Sequence, residues 1–128
     1  MKRLIFVWMI LALTATFGRA QSSDTRYVFV DADCKQGFEL LPDARRKRII
    51  TSIAERDFKE SIELLEAQEE IKGDFLAAIK DSYPSSVNQF KGIYVYMYMS
   101  REEAEAKKEE LEELYKRRGY KIIDFELK

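Results

Sequence analysis

Ile93-Tyr94-Val95-Tyr96-Met97-Tyr98-Met99, followed at once by Ser100-Arg101-Glu102-Glu103-Ala104, decides how this chain of 128 residues folds. The first seven residues are the aromatic, β-branched and thioether types that fit a pleated strand. Side chains alternate across a strand, so Ile93, Val95, Met97 and Met99 share one face and Tyr94, Tyr96 and Tyr98 the other. Ser100 then opens a helix. With Glu103 three residues on, it forms a capping box that satisfies the first free amides, and Glu102, Glu103 and Glu105 suit the positive end of the helix dipole. The spacing predicts a helix over 101–118, stopped by Gly119 in a left-handed conformation. Residues 121–127 alternate again, with Ile123, Phe125 and Leu127 on one face and Ile122, Asp124 and Glu126 on the other.

Strand, helix and strand in so short a span predict a right-handed crossover between two parallel strands of one sheet. The helix has a narrow apolar stripe, Ala104, Leu111, Leu114 and Tyr115. That stripe is expected to lie over Ile93, Val95, Met97, Ile123, Phe125 and Leu127, so that the tyrosine face points away from it.

Residues 91–127 resemble one β-α-β half of a SPOR domain. The likeness rests on Tyr94-Val-Tyr-Met-Tyr-Met-Ser-Arg-Glu-Glu-Ala-Glu-Ala and on the Gly119-Tyr120 lead into the last strand. SPOR domains are small α+β modules, ferredoxin-like in build, that bind peptidoglycan glycan strands bare of peptide. The resemblance implies a cell-envelope location and a glycan ligand. The first half of such a domain should repeat the unit nearer the N-terminus, and no clean copy stands there.

Outward from this unit, residues 1–20 read as a cleaved secretory signal peptide. Met1-Lys2-Arg3 is a basic start. Residues 4–17 are an apolar run too short for a membrane span, and Gly18-Arg19-Ala20 is a small-x-small cleavage site. Residues 21–128 then form a single small α+β domain, exported to the periplasm or secreted, with no membrane span after cleavage. That domain carries 19 basic and 23 acidic residues, a net charge of −4. This balance disfavours nucleic acid as a partner.

Residues 26–32 alternate as a first strand, with Val28, Val30 and Ala32 on one face and Tyr27, Phe29 and Asp31 on the other. Lys35-Gln36-Gly37 reads as a turn, residues 38–41 as a short strand and Pro42 as a break. Arg45-Arg46-Lys47-Arg48 reads as an exposed helix start or loop. Ile49-Ile50-Thr51-Ser52-Ile53 favours a strand, with a helix from Pro42 as the competitor. Residues 56–82 read as helical, with Gly73 before Asp74 as a break between two helices and Tyr83-Pro84 as the end. The whole predicts a sheet of about three to five strands with helices packed on it.

The chemistry on offer is limited. The chain has no histidine, the commonest general base and metal ligand. Its lone cysteine, Cys34, has no such partner and is expected to be buried or partly buried. No phosphate loop or metal-ligand spacing is present, so no cofactor and no metal are expected. Asp31 and Asp33 share a strand face and read as strand-end polar residues in preference to a catalytic pair. The chain is therefore expected not to be an enzyme. The feature with binding potential is the aromatic face: Tyr94, Tyr96 and Tyr98, beside Tyr27 and Phe29 on a neighbouring strand. Open to solvent, such rings stack on sugars or pack on a protein; under helices, they are core. Two functions stay open: an envelope module binding peptidoglycan glycan through this face, and a structural or protein-interaction module, homo-oligomeric in one form, with an envelope protein as partner and no carbohydrate ligand.

Overall fold

The computed structural model describes residues 24–35, 46–84 and 89–128. The signal segment, Gln36 and Gly37 of the expected turn, the short strand expected over 38–41, the break at Pro42 and Ser85-Ser86 lie outside the described residues. The fold class is the one expected, small α+β: one mixed five-stranded sheet with two helices packed on it. In chain order these are β1 (Asp24–Cys34), β2 (Lys47–Thr51), β3 (Ala54–Phe58), α1 (Leu64–Ser82), β4 (Phe90–Tyr98), α2 (Arg101–Arg117) and β5 (Lys121–Phe125). No helix among the described residues is long and apolar enough to cross a membrane.

β1 is the centre, and its composition explains why. Val28, Phe29, Val30 and Ala32 are all fully buried, so both of its faces are covered. One edge of β1 pairs antiparallel with β4, from Tyr27↔Tyr98 to Cys34↔Phe90. The other edge is shared. β2 takes the C-terminal half through Asp31↔Ile50, and β3 takes the N-terminal half through Val28↔Ala54. The chain bends between them at Ser52-Ile53. Buried amides there need partners: the Thr51 hydroxyl accepts from the Val30 N–H at 2.8 Å, and the Ser52 hydroxyl accepts from the Leu127 N–H at 2.9 Å. β5 runs parallel to β2, with Ile49↔Ile123 in register. β4 and β5 are therefore parallel strands of one sheet joined through α2, as expected, with β1 and β2 between them.

Both ends of α2 match the sequence reading. The Ser100 hydroxyl accepts from the Glu103 N–H at 3.2 Å. Gly119 takes φ 85°, and the amides of Gly119 and Tyr120 return to the carbonyls of Lys116 and Tyr115 in a Schellman turn.

The faces are the reverse of the expectation. Ala67, Ile71, Phe75 and Ile79 of α1 cover Val28, Val30 and Ala32, together with Ile93, Val95, Met97, Ile123, Phe125 and Leu127. Ala104, Leu111 and Tyr115 of α2 lie instead on the tyrosine face, with Tyr27, Phe29, Ile50, Tyr96, Tyr98 and Ile122. The physical reason is volume. α1 carries a wide stripe of large apolar side chains that needs an aliphatic face, whereas the small Ala104 leaves room for rings beneath α2.

Two further expectations are corrected. Residues 54–58 form a strand, and the helix expected from Arg56 begins at Leu64. That helix also passes through Gly73 without a break. A mid-helix glycine costs up to about 1 kcal/mol, which the buried stripe on either side of it outweighs.

Candidate functional site

The structure brings the five aromatic residues together on one face, but α2 occupies most of that face. Phe29 is fully buried and stacks on Tyr96, ring centroids 5.0 Å apart and 10° from parallel. Tyr27 and Tyr98, opposite each other in the register, are half-buried, and the Arg101 guanidinium lies 5.3 Å from the Tyr27 ring. Burial, with the Asp31 charge next, raises the Tyr96 hydroxyl above its ordinary value; burial and then Glu110 raise Tyr98. Only Tyr94 is open, 52% exposed. Its ring lies over Gly92, where an added Cβ would meet the Tyr94 hydroxyl at 2.8 Å.

Beside Tyr94 sits a polar cluster whose centre the sequence reading misplaced. Arg48, expected in an exposed basic run, is buried. It donates to both carboxylate oxygens of the fully buried Asp31, at 2.8 and 3.1 Å, and lies 3.7 Å from Asp33. Its guanidinium stacks 3.9 Å from the Tyr115 ring and lies within 5.9 Å of the Tyr94 and Tyr120 rings. The Tyr115 hydroxyl donates to Asp31 at 3.1 Å. Burial opposes the Arg48 charge, yet the hydrogen bonds and charge of Asp31 outweigh it and hold the guanidinium protonated beyond its ordinary range. Burial first, then the Asp31 charge, pushes Tyr115 up to about 12. Asp31 and Asp33, read from the sequence as strand-end polar residues, serve as counter-ions to Arg48. A signal for this was present: an aspartate inside Val28-Phe29-Val30-Asp31-Ala32 must find a cation when the strand is buried.

Cys34 is buried, as expected. Burial, then the Asp33 charge, pushes its thiol up to about 12, so it is protonated and a poor nucleophile near neutral pH.

Tyr94 also stands at an edge of the sheet. Among the described residues β4 pairs only with β1, and its outer edge faces a groove of about 350 Å³. Gln68, Glu69 and Lys72 of α1 form one wall, and Ile93, Tyr94, Val95 and Tyr96 of β4 form the other. The large apolar side chains exposed among the described residues are Leu64, Leu65, Tyr94 and Met99. Tyr94 and Met99 lie on β4 or directly past it. Leu65 lies one turn before Gln68 and Glu69 on the groove side of α1. The opposite side of the sheet is different: among the described residues it ends in β5 and β3, five residues each, with Lys121 and Asp124 on the first and Glu55, Arg56 and Asp57 on the second. The run Ile93–Met99 has no charge, proline or glycine.

Comparison of the chain with family models, curated proteins and solved structures finds no match.

Proposed function

We propose that this chain is an exported, non-catalytic module of the cell envelope that binds an extended protein segment along β4. The observation that supports this most is an edge that no other described strand pairs with, on a strand made of uncharged strand-formers. Sheet edges left free are ordinarily blunted by charge, proline or shortness, and Ile93–Met99 has none of these devices. A helix set beside such an edge gives a groove in which a peptide adds as a further strand. Its main chain supplies affinity and the walls supply selectivity. The absence of histidine, the protonated Cys34 and the use of Asp31 and Asp33 by Arg48 support a binding role in preference to catalysis. The reading of residues 1–20 as a signal peptide supports export.

The test is an NMR titration of the isotope-labelled protein with a soluble strand-forming peptide of alternating threonine and valine, about ten residues long. Saturable shifts confined to the amides of residues 93–96 and 68–72 are expected. A titration that leaves those amides unmoved at excess peptide removes the reading.

A second reading keeps a place because Tyr94 is exposed beside a polar cluster: a flat ring with hydrogen-bonding neighbours suits a sugar. This is the SPOR-like glycan function reduced to one ring, since Phe29 and most of Tyr27, Tyr96 and Tyr98 lie under α2. Retention on purified peptidoglycan sacculi, lost on Tyr94→Ala, would favour it over the edge.

A further inference from the structure

We infer that the segment which adds to β4 is β4 of a second copy of this chain, giving a two-fold dimer with one continuous sheet. This rests on the edge-binding reading above and names its partner. The argument is self-complementarity, which an isologous interface requires.

Antiparallel pairing about a two-fold axis at Val95 sets residue i against residue 190 − i of the other copy. On the α1 face this places Ile93 against Met97 and Val95 against Val95. On the tyrosine face it places Tyr94 against Tyr96. Like meets like on both faces, and about seven residues pair before Lys91, the one charged residue of β4, is reached at the rim opposite Met99.

The groove wall obeys the same symmetry. Glu69 and Lys72 of α1 stand over the middle of this stretch of β4. The axis that relates the two strands sets the two α1 helices antiparallel. Strands in a sheet lie about 4.8 Å apart, and α1 lies over its own β4 and β1, so the two helices come near packing distance. Glu69 of one copy then faces Lys72 of the other, twice over, and Leu65 faces Leu76 in the same register. An unrelated peptide would need none of these symmetric matches. The uncharged run 93–99 becomes a buried strand pair, and the edges left among the described strands are the short, charged β3 and β5 of each copy.

Sedimentation velocity over the micromolar range tests this with two single variants, Glu69→Lys and Lys72→Glu. Glu69 is exposed and Lys72 half-buried, and neither belongs to the buried stripe of α1, so the core is left intact. Wild type is expected to show a reversible dimer. Each variant alone puts like charges across the axis and should weaken self-association about tenfold or more. An equimolar mixture of the two restores opposite charges in trans and should regain the dimer, which a change within one helix cannot do. A wild type that stays monomeric, variants that dimerise unchanged, or a mixture that fails to recover would each overturn the inference. A monomeric wild type whose β4 amides still shift with the threonine–valine peptide would leave the edge reading standing; one that responds to neither would end both.

Discussion

The two faces of this sheet are built by different rules. The α1 face is apolar throughout: Ala67, Ile71, Phe75 and Ile79 meet valines, isoleucines and phenylalanines, and Phe75 contacts Phe90 and Phe125 at centroid distances of 5.6 and 6.1 Å. The α2 face is a layer of rings around an ion pair. There the helix supplies only Ala104, Leu111 and Tyr115, and the strands supply Tyr96, Phe29, Asp31 and Arg48. The first face draws its stability from area and close packing. The second depends on each polar group keeping its partner, because one broken contact strands a buried charge.

Phe75→Ala should cost most, about 4 kcal/mol, since it removes a fully buried ring and leaves a cavity beside Phe90 and Phe125. Urea unfolding reads this directly, and a loss under about 1 kcal/mol would show that the α1 face is looser than its burial implies. On the other face, Asp31→Asn should cost about 3 kcal/mol, because Arg48 loses its close counter-ion and keeps only Asp33 at 3.7 Å. The paired change Asp31→Leu with Arg48→Met removes both charges and should recover most of that loss. If the double variant is no better than the single one, the cluster owes its stability to something other than charge balance, and the contrast between the faces weakens.

How far the sequence disclosed this arrangement differs from element to element. The start and stop of α2 were plain, because Ser100, Glu103 and Gly119 act through local hydrogen bonds and backbone conformation. Alternation in β1 and β4 was plain for the same reason. Which helix covers which face was not, since a period-two pattern defines two faces without saying what lies on either. β3 was hidden by its own spacing: Ala54 and Phe58 are buried and Glu55 and Asp57 exposed, a pattern of four that a helix shares. Arg48 was hidden by its neighbours. In Arg45-Arg46-Lys47-Arg48 it reads as one more surface cation, and only its register against Asp31 and Asp33 reveals a buried partner. Among the aromatic candidates, Tyr94 alone stays exposed, while the edge of β4 that carries the proposed binding was legible as composition but not as an edge.

The smallest predicted effect lies in alkali, where each face holds an acid raised to about 12. Cys34 rises from its ordinary 9.0 to about 12 through burial and then Asp33; Tyr115 rises from 10.0 to about 12 through burial and then the Asp31 charge. For both, the folded value lies above the unfolded one, so the unfolded chain releases its proton first as pH rises. Stability is therefore full below about pH 9 and declines from there towards pH 12. Cys34→Ala should delay the onset of that decline to the tyrosine range. Tyr115→Phe should lower stability by about 1 kcal/mol at neutral pH, through loss of the hydrogen bond to Asp31, and should flatten the upper part of the alkaline limb. Thermal unfolding followed at intervals between pH 7 and pH 11 separates the two. A decline unchanged by both substitutions would mean that neither acid is held protonated by its face, and that the polar layer under α2 is wetter than its burial indicates.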